Sequence, residues 1–318
     1  MKYIGYVFLG LLFVLLTSSR TEADNRADAE AFKDKGNELF NRGDFDGAIE
    51  AFNKSIEADS TYAFAYNNLG IVLYEKGDYS GAVERLRKAI ILDENYGKAY
   101  NNLGNAFMAI GDFNSARASF EQSIKVEPGF AQKFDNLGNA LYALGELDSA
   151  IVVYNKALEL NSKLVSGHNN LGVALQKKGK LEEAIAQFRE AISLDSRYIS
   201  AYINLGVALY NNGKGNVRRS LEPLKTALKY DTNNVLAMYN LSLIYLDAGD
   251  SKEAVKLLRK AVQLETGDAD LYYLFGLALA ENKNEREAIK NFEQAITIDP
   301  NHQNAQKALD VLQSGIKK

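Results

Sequence analysis

The sequence predicts an all-α protein of stacked antiparallel helix pairs, and three observations carry that prediction. The tripeptide Asn-Leu-Gly recurs at Asn68-Leu69-Gly70, Asn102-Leu103-Gly104, Asn136-Leu137-Gly138, Asn170-Leu171-Gly172 and Asn204-Leu205-Gly206, a period of 34 residues. Self-similarity at that period marks an array of small helical units rather than separate domains. Within a unit, apolar residues keep helical spacing: Tyr100, Leu103, Gly104 and Phe107 fall within about 100° of arc on one helix face. Proline is scarce, three in 318 residues, so few breaks are enforced on the chain.

Taken in order, the N-terminus comes first. Lys2 precedes an apolar run, Tyr3 to Leu16, and polar Thr17, Ser18, Ser19 and Arg20 follow it. This is the pattern of an export signal. As a helix the run reaches roughly 21 Å, short of the roughly 30 Å hydrocarbon core, so a signal peptide fits better than a stable span. Small residues suit cleavage after Ala23 or after Ser19; retention as an uncleaved membrane anchor is the alternative. Residues 1–23 are therefore read as signal or anchor and 24–28 as a short linker. The predicted location is exported, periplasmic or otherwise extracytoplasmic, and membrane-anchored if the leader is kept.

Eight units follow, at 29–62, 63–96, 97–130, 131–164, 165–198, 199–234, 235–268 and 269–302, with a capping helix and tail at 303–318. In each unit a small residue on either helix, such as Gly104 and Ala116, lets the two backbones approach, and Gly111-Asp112 supplies a turn followed by an N-cap. One such hairpin cannot bury its apolar face alone, so successive units must stack. Ala305, Ala308, Leu309 and Leu312 give the closing helix one apolar stripe, while Asn301, Gln303, Lys307 and Asp310 keep its other face wet. The sixth unit carries a two-residue insertion around Gly213-Lys214-Gly215. Pro223 then falls in the first turn of a helix capped by Ser220, or kinks a helix that starts earlier; the sequence leaves both open.

Each unit resembles the tetratricopeptide repeat. In the unit beginning at Gly97 the resemblance rests on Tyr100, Leu103, Gly104 and Phe107 in the first helix and on Ala116, Phe120, Ser123 and Pro128 in the second. It extends from Ala29 to the end of the array, although the family's proline survives only at Pro128 and Pro300. The resemblance implies a right-handed α-solenoid, with the first helices lining a concave groove and a protein or peptide as ligand.

Composition narrows the function. Lys and Arg number 37 against 41 Asp and Glu, a formal charge of −4, which offers no footprint for nucleic acid. With no Cys there is neither thiol nucleophile nor disulfide, and two histidines give no metal-ligand spacing. His168 takes the slot of Tyr66, Tyr100 and Tyr202, which makes it a core residue, and His302 stands alone at the tail junction. No catalytic residue, metal or cofactor is assigned, and the repeats leave no room for a catalytic domain. The chain is read as non-enzymatic.

Function is then sought on the face opposite the packed stripe. The asparagine of each tripeptide lies about 200° round the helix from the first core aromatic. That position holds Asn68, Asn102, Asn136, Asn170, Asn204 and Asn240, whereas the position four residues earlier drifts through Phe64, Lys98, Gln132, Ser166, Ser200 and Leu236. Mid-helix Asn costs roughly 0.5–0.7 kcal/mol relative to Ala, so something must offset six of them. A primary amide both donates and accepts, and a row of amides can pair with the backbone of an extended ligand regardless of its sequence. The row resembles the asparagine ladder in the repeat superhelix of O-linked N-acetylglucosamine transferases, which holds extended peptides. The alternative is that these amides are solvated or bonded within the protein. Tyr74, Tyr142 and Tyr210, with Phe40 and Met108 at the same register, are further groove candidates, or edge packing between units.

At the amino end, Lys33, Asn37, Asn68 and Lys98 match four of the five positions of the carboxylate clamp of co-chaperone tetratricopeptide domains; Asn102 stands at the fifth, where that family carries a basic residue. The resulting expectation is an exported scaffold or adaptor that binds an extended or disordered polypeptide segment in its groove. The alternatives are a structural subunit of a membrane-associated complex, docked by its convex face or ends, and a minor clamp-like role. The membrane enters only through an uncleaved N-terminal segment, and the oligomeric state is not readable.

Overall fold

The computed structural model describes residues 22–213 and 217–316; the leader through residue 21 and residues 214–216 of the insertion lie outside the described residues. Seventeen α-helices occupy the described residues, and none of those residues forms a strand. The helices are α1 (Glu22–Asn41), α2 (Phe45–Ala58), α3 (Ala63–Glu75), α4 (Tyr79–Leu92), α5 (Gly97–Ile110), α6 (Phe113–Val126), α7 (Ala131–Ala143), α8 (Leu147–Leu160) and α9 (Val165–Lys177). They continue as α10 (Leu181–Leu194), α11 (Ile199–Asn211), α12 (Val217–Tyr230), α13 (Val235–Asp247), α14 (Ser251–Leu264), α15 (Ala269–Glu281), α16 (Glu285–Ile298) and α17 (Gln303–Ile316). Odd helices through α15 are the first of a repeat, even ones the second, and α17 follows the eighth repeat.

The segment 24–28 is not a linker. It lies inside α1, where Arg26 ties it down by an ion pair to Asp59 at 2.8 Å and by stacking over the Tyr62 ring. Among the described residues the helices also fall into two compact units, one up to residue 146 and one from residue 147, divided inside the fourth repeat between α7 and α8. The motif alone predicts one undivided stack. It carries no sign of the division because each repeat interacts only with its neighbours, so all contacts are local wherever the array is cut.

Each hairpin closes on one position. Phe52, Leu86, Phe120, Tyr154, Phe188, Leu224, Leu258 and Phe292 occupy the same place in successive second helices, all at 2% exposure or less. Where the partner is glycine, a Cβ would collide: one built on Gly104 lies 2.4 Å from Phe120 Cε1, and one on Gly70 lies 2.6 Å from Leu86 Cγ. The small residues expected beside this contact, Ala48, Ala82, Ala116 and Ala184, are fully buried. Repeat 7 departs from the rule. Ser242 stands where the others have glycine, fully buried, and its hydroxyl has no hydrogen-bond partner.

The turns follow the sequence. Gly111 is left-handed at φ 79°, and Asp112 accepts the Ser115 N–H at 3.1 Å as an N-cap; Asp44 and Asp78 cap their helices in the same way. Ser220 is not the cap of α12: the helix runs Val217–Tyr230, with Ser220 and Pro223 both inside it. His302 is not alone at the tail junction. Its Nδ1 accepts the Ala305 N–H at 3.0 Å as the cap of α17, its Nε2 sits 3.2 Å from Asp270, and its ring lies against Tyr273. The closing helix buries Ala305 and Leu309 and exposes Asp310, which occupies the glycine register and accepts from Gln306 at 3.0 Å.

Within residues 22–146 the first helices touch one another in succession (α1, α3, α5, α7), while the second helices do not; the same holds for α9, α11, α13, α15 and α17 against α8 to α16 in the other unit. First helices are thus the more closely spaced side of each unit, which makes theirs the inner face.

Two substitutions test the packing rule. Ser242→Ala removes a hydroxyl that is desolvated without a partner and is expected to stabilise the protein by about 1 kcal/mol. Gly104→Ala pushes a methyl group into the Phe120 ring and is expected to cost about 1–3 kcal/mol. Thermal unfolding of both, with circular dichroism, reads the two opposite shifts.

Candidate functional site

The asparagine row lies on the inner face, and its amides bond between repeats. Asn102 Nδ2 donates to Asn67 Oδ1 at 2.9 Å, Asn136 Nδ2 to Asn101 Oδ1 at 3.0 Å, and in the other unit Asn204 Nδ2 donates to Asn169 Oδ1 at 2.9 Å. The acceptor in each case is the residue immediately before the row asparagine of the preceding repeat. Asn68 Nδ2 reaches Asn37 Oδ1 at 2.9 Å in the same sense, and Asn67 Nδ2 donates to Asn68 Oδ1 at 3.0 Å. A relay therefore runs Asn102, Asn67, Asn68, Asn37 across three repeats. Asn169 gives the corresponding bond to Asn170 Oδ1 at 3.3 Å.

The exception explains the rule. At the acceptor position of repeat 6 stands Ile203, and Asn240 turns back onto its own helix, donating to the Leu236 carbonyl at 2.8 Å. In repeat 8 the row position is Leu274, which is buried in the core. The row amides are half-buried, and each has two N–H groups and two carbonyl lone pairs. The relay uses one N–H of Asn68 and one of its lone pairs, so a second N–H and a second lone pair stay available to a ligand.

In residues 22–146 this floor opens into a cavity of about 820 Å³. Asn67, Asn68, Asn101 and Asn102 line it together with Phe64, Ile71, Tyr96, Lys98, Phe130 and Gln132, and with the charged groups Asp93, Glu127 and Lys133. Phe64 and Phe130 are 48% and 57% exposed, and the Phe64 ring lies 4.9 Å from that of buried Tyr96. Burial pushes the Tyr96 phenol up to about 12, with Tyr62, Asp93 and Glu127 adding to the shift. Lys133 takes a slot that holds alanine in most other repeats, as at Ala65, Ala99 and Ala201. Its ammonium is nearly buried, bonds Glu127 Oε2 at 2.5 Å and the Ser123 carbonyl at 3.3 Å, and lies over the Phe130 ring. Bare Gly97 makes room for the Glu127 side chain that lies across it.

The other expected residues are placed differently. Lys33 pairs with Asp34 at 2.7 Å, which raises its pKa, and Asn37 accepts from Asn68. Of the two clamp lysines only Lys98 therefore lies without an acidic partner among the described residues. Tyr74 packs on Tyr79 across the inter-helix turn, with ring centroids 5.3 Å apart, and lies outside the cavity. Tyr210 shares that register and sits beside Asp247; burial first, then that carboxylate, raises its phenol pKa. Tyr142 is half-buried at the same register. His168 is a packed residue, with Nδ1 2.7 Å from Gln187 Oε1 and Nε2 3.0 Å from the Ser162 carbonyl. Among the described residues no cluster of His, Asp or Glu could hold a metal ion, and no helix is long and apolar enough to cross a membrane.

Reading the row alone misses its acceptors Asn67, Asn101 and Asn169, although the same 34-residue alignment contains them one position earlier. The Phe64 and Phe130 walls give a weaker signal, because exposure of an aromatic residue is not encoded in its spacing.

Family models for the tetratricopeptide repeat match residues 36–77, 72–111, 97–130, 138–179, 177–213, 213–269 and 269–302. The chain belongs to the tetratricopeptide-repeat family. No curated protein matches the sequence. Among solved structures, the Cut9–Hcn1 hetero-tetramer of APC/C aligns with a TM-score of 0.65 at 20% identity, over 87% of this chain and 54% of that one. A MamA structure from Desulfovibrio magneticus RS-1 aligns at 0.50 and 22%, over 54% and 97%. YrrB, a tetratricopeptide-repeat protein described as having an unusual peptide-binding site, aligns at 0.48 and 25%, over 59% and 96%. These likenesses concern the fold.

A double-mutant cycle tests the relay. Asn67→Ala and Asn102→Ala are each expected to lower stability, and together by less than their sum, with a coupling of roughly 0.5–1.5 kcal/mol. Ile203→Asn supplies the acceptor that Asn240 lacks, and a cycle pairing it with Asn240→Ala should show a coupling of similar size. Strict additivity in the first cycle would show that the amides do not bond.

Proposed function

We propose that this protein is a non-enzymatic scaffold or adaptor that holds an extended polypeptide segment on the inner face of its first helices. The observation that supports this reading most directly is the cavity floored by Asn67, Asn68, Asn101 and Asn102. Asn68 and Asn102 face it half-buried, oriented in advance by their bonds to buried Asn67, and keep donor and acceptor capacity to spare. An extended backbone needs this alternation of partners. First helices about 8–10 Å apart and a rise of about 3.3 Å per residue bring a ligand amide to each row position every two or three residues. Binding an extended segment also suits the family. In the same reading Asn136 extends the surface within residues 22–146, Asn170 and Asn204 offer a like surface on the other unit taken by itself, Asn240 contributes less because it faces its own helix, Asn37 acts through the relay, and Lys33 is held by Asp34 rather than by the ligand.

The proposal includes export. Its support is the apolar run Tyr3–Leu16 behind Lys2. N-terminal sequencing of the native protein from fractionated cells is expected to start at Asp24 or Arg20; a Met1 start in the membrane fraction would establish the anchored form instead.

A photo-crosslinking residue placed at Gln132, on the cavity wall, and at Ile91, 71% exposed on a second helix, separates the two functional classes. The adaptor reading expects crosslinks from position 132 to a segment that mass spectrometry maps to an unfolded region of the partner. Crosslinks from position 91 to a folded subunit, with none from 132, would replace it with permanent assembly through the outer face.

A further inference from the structure

The amide floor reads a backbone and is indifferent to side chains, but the wall above it is not. The register that drifts between repeats places Phe64, Lys98 and Gln132 one per repeat along the edge of the same cavity. Each repeat thus presents its own side-chain chemistry at a fixed interval along the cavity. Phe64 leaves half its surface in solvent although its ring already packs on Tyr96, and Phe130 leaves more than half although Lys133 sits over it. Two exposed phenyl rings, Phe64 and Phe130, and Ile71 line the same cavity and give its wall apolar surface.

The charges fix a second preference. Glu127 is neutralised by Lys133, in an arrangement that takes two substitutions against the repeat pattern, Gly97 and Lys133, to build. Asp93 accepts the Asn95 N–H and serves the turn after α4. Lys98 is exposed and has no acidic partner among the described residues. An unpaired ammonium one repeat on from Phe64 favours an anion on the ligand, about three residues along an extended chain from a side chain that rests on Phe64.

Resting on the groove reading above, we propose that the cavity between repeats 2 and 4 selects extended segments carrying a bulky apolar side chain, seated on the apolar wall at Phe64, and an aspartate or glutamate about three residues away that meets Lys98. The partner is thus a disordered segment of mixed apolar and acidic character, gripped internally along its length rather than by its terminus.

Fluorescence anisotropy with the full chain tests this. The probes are labelled twelve-residue peptides of Gly, Ser and Thr that carry Phe and Glu three positions apart, with companions in which Phe becomes Ser or Glu becomes Lys. The Phe/Glu peptide is expected to bind about tenfold more tightly than either companion. Lys98→Glu, at an exposed position that does not endanger folding, is expected to invert the Glu/Lys ranking while leaving the Phe/Ser ranking in place. Phe64→Ser with Phe130→Ser should abolish the Phe/Ser ranking alone. Equal binding of all peptides, or a charge ranking unmoved by Lys98→Glu, overturns the side-chain selection and leaves backbone binding standing; binding by no peptide overturns both.

Discussion

The structure depends on the contact between a bare glycine face on the first helix of a repeat and one large side chain on the second, as between Gly104 and Phe120. Because no Cβ intervenes, the ring lies against backbone and the helices of the hairpin are drawn close. The alanine beside it, Ala116, extends that approach. With the hairpin closed, the remaining apolar side chains have no partner inside it and must find one in the next repeat, which is what makes the array cohere. First helices of neighbouring repeats then come into contact, and only at that spacing can an amide on one reach an amide on the next. The amide row on the inner face is a consequence of the packing rule, three steps removed.

This ordering bears on what the asparagines are for. Their intrahelical cost is offset within the protein, since each relay bond satisfies a donor and an acceptor that would otherwise compete for water. Retention of the row therefore needs no ligand to explain it. The relay also fixes the side chains, so a ligand that arrives loses less conformational freedom than it would on a set of mobile amides. Bonds in series polarise one another, which sharpens the unused N–H and lone pair of each link. The structural role is thus compatible with the proposed binding role in the same residues, and Asn240, next to Ile203 of the preceding repeat, marks where the relay pattern breaks.

Most of the fold was legible because it is written eight times. Errors in one copy are corrected by the others, and the Gly-Asp turns, the fully buried second-helix aromatics and the capping helix all follow from the common pattern. What escaped was what occurs once. Residues 24–28 belong to no repeat, so their helicity rests on tertiary ties from Arg26 to Asp59 and Tyr62 that no local pattern announces. His302 became a cap through the geometry of a single junction. At the site, the asparagine row was visible as a sequence regularity, but the destination of its protons was not, because a hydrogen bond between repeats depends on the residue 35 positions away as much as on the asparagine itself. Lys133 illustrates the limit: a lysine in an alanine slot reads as surface drift until the carboxylate beside it is seen.

Asp310 sets the closing helix apart. It holds the register where every internal repeat but the seventh has glycine, on a helix whose outer side meets water. A further second helix laid on α17 would have to set its large side chain against a carboxylate, which is a much poorer partner than a bare backbone. The same register position is thus wet on the closing helix and dry on the first helices before it, so one carboxylate in place of a bare backbone turns a packing face into a solvated one.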